Sequence, residues 1–320
     1  MRNARFVLAP LFVLVTILAA CSKPTDADVD LLGELRVFLS PDTVNLFVVD
    51  VGAFADTEAF RKIEAELRAT EGIGEVIDEL GVPLSDVAKR AAFAMADPEE
   101  GGGHSTSVHV AIETTLDDGF LQRVMSEAGD GFEAEVVDGV TMWVHTDADV
   151  TVALVQFPGG YLGFGHADAV RAMVQRAVAG SGGLAQDARP LLLARDLAAG
   201  AIAWGVVRAH PLMTAQLPDV AGDLSGLEHG VVALTQDAAG DTIVEARAIT
   251  KSAQDAQDME GRIQLIAGMG ALSDDLDPDI ADVLASLSVG RQGDTVSLRA
   301  VLTSEFITSL FGGAAPFHRD

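Results

Sequence analysis

The chain of 320 residues contains one cysteine, Cys21, and is poor in basic groups, with 21 Lys and Arg against 48 Asp and Glu. A single cysteine excludes any internal disulfide, so the fold must be held by its core. Aromatics make up only 5% of the chain, with one Tyr and two Trp beside 14 Phe, so aliphatic and alanine packing must fill that core. The formal net charge of −27 excludes a nucleic-acid binder and disfavours anionic headgroups. It leaves cationic partners, divalent counter-ions or plain solubility. No apolar run reaches the roughly 20 residues that a membrane-spanning helix needs.

What is present begins at the N-terminus. Arg2 and Arg5 form a short positive head, Phe6 to Ala20 are almost all apolar, and Pro10 interrupts them. A charged head, a short apolar stretch and small residues at its exit are the layout of a secretory signal peptide. The order Leu18-Ala19-Ala20-Cys21 resembles the lipobox of bacterial lipoproteins. In that family the cysteine thiol receives a diacylglyceryl group, the signal is cut before the cysteine, and the new amine is often acylated, with palmitate among the chains. The resemblance implies cleavage between Ala20 and Cys21, lipidation of Cys21, and attachment to the membrane through the lipid. Several acyl chains anchor stably where one does not. Ser22, where an Asp would retain the protein at the inner membrane under the enterobacterial sorting rule, implies the outer membrane. Loss of residues 1–20 leaves 19 basic against 48 acidic side chains, a net of −29.

Residues 21–40 read as a lipidated tether followed by one small helix, with Leu31, Leu32, Leu35 and Phe38 at helical spacing. Strands are expected at 44–51, 90–96, 107–115, in three successive segments between Gly139 and Gly165, and at 200–207, 229–235, 242–250 and 295–303. Helices are expected at 56–70 with a continuation to Gly81, and at 116–129, 167–180, 252–272, 277–287 and 304–311. Pro278 sits in a first helical turn, where proline is favoured, and Gly180 marks a helix stop. The later half repeats the plan of the earlier one: Leu84-Ser85 aligns with Leu224-Ser225 and Val87 with Leu227, each leading into a strand. The fold class expected is therefore α+β: two tandem related modules, 41–185 and 186–320, with antiparallel sheets and helices on one face, in the manner of a ferredoxin fold. Whether the modules share one sheet is left open, and a partner groove is expected at their junction. The stretch 39–60, "LSPDTVNLFVVDVGAFADTEAF", also resembles a loose group of uncharacterised exported bacterial proteins, which carries no catalytic motif to transfer.

Residues with chemical potential are dispersed. The glycine loop 101–107 with His104 and Ser105 leads into a strand and lacks a lysine, so it is not a phosphate cradle, and there is no G-x-S-x-G elbow. His104, His109, His145, His166, His210, His229 and His318 form no ligand motif. His145, Asp147 and Asp149 alternate around a turn, and Asp274, Asp275, Asp277, Asp279 and Asp282 lack the glycine and glutamate of an EF-hand loop. Helix capping accounts for Asp277 and Asp279. Trp143 and Trp204 lie in expected strands as core residues. No cofactor, metal or catalytic residue is expected. The function expected is a lipid-anchored envelope protein, not an enzyme, with a binding or structural role towards an envelope protein or component. The alternatives are a carrier of a hydrophobic ligand such as a lipid, and a hydrolase built on paired carboxylates.

Overall fold

The computed structural model describes residues 31–55, 57, 60–61, 64–65, 84–96, 108–127, 131–147, 150–209, 225–237, 241–270 and 278–303. The expected helices 56–70 and 304–311 lie largely or wholly outside them. The first described element is a 3₁₀ helix, Gly33–Phe38. Twelve strands follow: β1 (Thr43–Asp50), β2 (Ala88–Ala96), β3 (Val108–Thr114), β4 (Glu133–Val137), β5 (Val140–Asp147), β6 (Val150–Phe157), β7 (Tyr161–His166), β8 (Ala203–Arg208), β9 (Leu227–Gln236), β10 (Thr242–Thr250), β11 (Ser288–Gln292) and β12 (Thr295–Leu302). The helices are α1 (Val51–Ala55), α2 (Leu84–Val87), α3 (Phe120–Glu127), α4 (Ala167–Ala179), α5 (Arg189–Ala198), α6 (Ala253–Gly270) and α7 (Pro278–Ser286). The fold is α+β, dominated by an antiparallel sheet.

All twelve strands form one sheet in the order β11-β12-β10-β9-β8-β1-β2-β3-β7-β6-β5-β4. The two halves meet where β1 pairs with β8, with Leu46 opposite Val206 and Val48 opposite Trp204. Counted outward from that seam, the orders are β1-β2-β3-β7-β6 and β8-β9-β10-β12-β11, and the first half adds β5 and β4. Each half is antiparallel throughout and contains one crossover, from β3 to the far edge with return at β7 and from β10 past β12 to β11, rather than the interleaved order of a ferredoxin fold. The seam is a ladder of backbone hydrogen bonds, not a contact between two separately packed modules. Val48 and Val206 are both buried there, as expected from their apolar strand runs.

Strand periodicity assigns the two faces. The first face carries Leu46, Val48, Ala92, Ala94, Ala111, Val155, Met142, Trp204, Val206, Val231 and Ala233, all buried in one core. Val170, Met173 and Val174 of α4 and Leu191, Ala194, Leu197 and Ala198 of α5 pack down on them. Past β9 the same face turns polar, with Glu245, Arg247, Ser297 and Arg299 in cross-strand register. There the Arg299 guanidinium meets Glu245 at 3.3 Å and Arg247 reaches Asp196 of α5 at 3.6 Å. Burial switches to the opposite face at this end, where Val296 and Ala300 are buried, and Arg291 pairs with Glu260 of α6 at 3.1 Å. In the first half α3 also lies on that second face: Leu121 N–H donates to the Gln156 side chain at 2.9 Å, and Gln156 donates back to the Asp117 carbonyl at 2.6 Å. The helices expected on one face therefore occupy both. The reason is compositional: β2 is apolar on both faces and β3 carries Ala111 on the first and Val110 and Ile112 on the second, whereas β12 keeps its buried residues, Val296 and Ala300, to the second face alone.

Candidate functional site

The segment that follows the expected tether is docked in the main core. Residues 32–39 lie across the first face, antiparallel to β1, and are wedged beside α4. Leu32, Leu35, Phe38 and Leu39 are buried in the main core. The Phe38 ring packs at a tilt against the Phe157 and Tyr161 rings, with centroids 4.7 Å and 5.0 Å away. A 3₁₀ helix is a short, poorly bonded element in isolation, so these four side chains and the contacts below hold it.

Four polar contacts pin it along its length. At its start the Tyr161 hydroxyl donates to the Glu34 carboxylate at 2.7 Å. Burial, then the Glu34 bond and the negative charges of Glu34 and Glu113, push the Tyr161 phenol up to about 12, so it stays a donor. In the middle, Leu184 N–H donates to the Arg36 carbonyl at 3.0 Å. Gly183 makes this possible, since a Cβ there would stand 2.7 Å from Val37 Cα. Towards the end, Arg176 of α4 donates to the Phe38 carbonyl at 2.9 Å, and Ser40 N–H donates to His109 Nε2 at 3.3 Å. The acceptor role of Nε2 puts the His109 proton on Nδ1. Burial, followed by the nearby Arg176 charge, lowers His109 to about 4, so the ring is neutral at pH 7. His109 Nδ1 and Arg176 Nε are buried without a hydrogen-bond partner, which leaves both groups dependent on this fit.

The residues singled out in the sequence are scattered by the fold. Ala20 and Cys21 lie outside the described residues, as do His104, Ser105, Asp149, His210, Asp274, Asp275, Asp277 and His318. His109 is a core residue of β3 opposite Gly165. His145 contacts the Gly131 carbonyl and packs at 5.2 Å on Phe132. His229 is buried at the start of β9, and burial lowers its pKa. Trp204 is buried at the seam, whereas Trp143 is half-buried on the second face. Asp282 is exposed on α7. Among the described residues no group of three or more His, Cys, Asp or Glu is arranged to hold a metal ion, and no described helix is long and apolar enough to cross a membrane. Sequence reasoning missed His109, Arg176, Tyr161 and Gly183 as partners of the N-terminal segment. Each looks ordinary in its own element, and only the crossing of that segment over α4, β3 and β7 brings them together.

No family model matches the chain, and no curated protein matches it. A solved structure described as "Structure of crystal form IV of TP0453" is similar to it, with a TM-score of 0.54 at 10% sequence identity, covering 86% of this chain and 95% of that one. The likeness is one of fold. It extends over nearly the whole of both chains, so the large mixed antiparallel architecture is not peculiar to this sequence.

Proposed function

We propose that this chain is a lipid-anchored protein of the bacterial cell envelope, cut behind Ala20, acylated at Cys21 and carried to the outer membrane, where its folded part has a non-catalytic binding or structural role. The order Leu18-Ala19-Ala20-Cys21 behind a short apolar stretch carries the reading. The fold supports it in one respect. Residues from Leu32 onward are docked in the core, so a lipid at Cys21 would be joined to a firm seat and not to a frayed end. The role is read as non-catalytic because the sequence offers no catalytic motif to which a reaction can be assigned.

Mass spectrometry of the mature N-terminus tests the anchor. The expected product begins at Cys21 and carries diacylglyceryl and amide-linked acyl mass, and Cys21→Ala abolishes both processing and partitioning into a detergent phase. An unmodified terminus elsewhere would refute the reading. A pull-down of the lipidated protein from native membranes then identifies the envelope component it holds.

A further inference from the structure

The path of the N-terminal segment has a consequence for how the molecule stands on a membrane. The sheet has two rims. One carries Asp50, Arg90, Glu113 and Tyr161, which share one cross-strand row, together with the neighbouring turns at Asp117–Asp118 and Gly159–Gly160. The other carries Ser40–Thr43, Ala96, His166 and the end of β5 at Thr146. The docked segment enters at the first rim, where Gly33 lies beside the Arg90 guanidinium and Glu34 takes the Tyr161 bond. It leaves at the second, where Ser40 meets His109.

On the lipid-anchor reading, we infer that the protein rests with its Asp50–Arg90–Glu113–Tyr161 rim against the bilayer surface. Ten residues, 21–30, separate the lipid from the described chain. Whatever their conformation, they span at most about 35 Å. The eight residues of β1 span about 27 Å between the rims. If the first rim faces the membrane, the tether keeps nearly all of its conformational freedom. If the second rim faces the membrane, the tether must first run the length of a strand back along the domain. That run takes up about three quarters of its reach and much of its conformational entropy. Docking of residues 32–39 fixes the point of departure and thereby turns a short tether into an orienting device. The facing rim carries both signs: Lys89 lies 4.0 Å from Glu113, and Asp117 is bridged to Arg123 at 2.5 Å. Such a surface fits the plane of zwitterionic headgroups and does not insert among the acyl chains.

The test uses the full lipidated protein in phosphatidylcholine vesicles containing a headgroup spin-labelled lipid. Acylation blocks the Cys21 sulfur, so a single fluorophore can be placed through Asp118→Cys on the near rim or Thr146→Cys on the far rim, both exposed positions. The expected result is several-fold stronger quenching at residue 118 than at residue 146. Insertion of about twenty Gly and Ser residues after Ser22 should erase the difference, because a long flexible linker no longer favours one rim. Equal or reversed quenching in a sample whose Cys21 lipid is confirmed by mass spectrometry overturns the orientation and leaves the anchor standing. Absence of the lipid overturns both. Persistence of the difference with the long linker overturns the tether as its cause.

Discussion

His109 and Gly183 show how much single positions carry in this fold. The folded chain holds His109 down at about 4, whereas an exposed histidine titrates near 6.5. Below pH 6.5 the unfolded chain therefore takes up a proton that the folded chain refuses. Stability contributed by this site is complete above pH 6.5 and is lost as the pH falls towards 4, at up to about 1.4 kcal/mol per pH unit. His229 shifts in the same direction and adds to the slope. His109→Leu should flatten the pH dependence of urea unfolding between pH 6.5 and 4 by one proton, whatever it does to the baseline; an unchanged slope would show that His109 does not carry it. Gly183→Val tests the seat of the N-terminal segment. Its side chain would collide with the Arg36–Val37 backbone, costing about 1–3 kcal/mol as overpacking does. Hydrogen exchange at the Leu184 and Leu39 amides should accelerate in that variant, while exchange in β9 and β10 stays as it was.

At the scale of elements, the 3₁₀ helix and α5 are informative because local sequence describes them poorly. The spacing of Leu31, Leu32, Leu35 and Phe38 indicated a helix, and one turn type tighter was found. Such a piece has little stability of its own, so its order derives from burial. Leu35→Ala should therefore cost about 2–5 kcal/mol in equilibrium unfolding, the range for a buried leucine. It should also expose residues 31–40 to protease before the rest of the sheet unfolds; simultaneous cleavage everywhere would argue against a separately docked element. Helix α5 escaped the sequence reading although its signal was present. Pro190 stands in its first turn, and Leu191, Ala194, Leu197 and Ala198 recur on its buried face. It stands just after the boundary drawn between the two expected modules, at residues 185 and 186, and it packs on β1, β8 and β9, covering the seam and closing the core there.

The whole molecule is set by charge and by the continuity of the sheet. With 48 acidic and 21 basic side chains, self-repulsion opposes the compact state. Raising ionic strength from about 10 mM to about 150 mM shortens the screening length from about 30 Å to about 8 Å. The melting temperature should rise over that interval, and equally for sodium and calcium salts at matched ionic strength. A saturable, EDTA-reversible excess with calcium would instead reveal a specific site, since a ligand that binds only the folded state stabilises it by mass action. Continuity matters at the seam. Gly205 of β8 lies under the Phe47 ring, which occupies the place a side chain would take, so the two halves are joined by packing as well as by backbone bonds.

The sequence by itself determined the acidic surface, the lack of a disulfide, and most of the described strands and helices. Those properties live in composition, in periods of 2 and 3.6, and in markers such as Gly180 and Pro278, all of which are local. It was silent on β4, with its five mostly exposed residues and two glutamates, and on β11, because an edge strand has no buried alternation to display. Only the tertiary structure decided that the halves share one sheet, that helices lie on both faces, and that residues 32–39 cross α4, β3 and β7. Each of these depends on contacts between residues far apart in the chain, as between Arg176 and Phe38 or Tyr161 and Glu34. No local pattern encodes such pairings, because the free energy that selects them is gained only when distant surfaces are buried together.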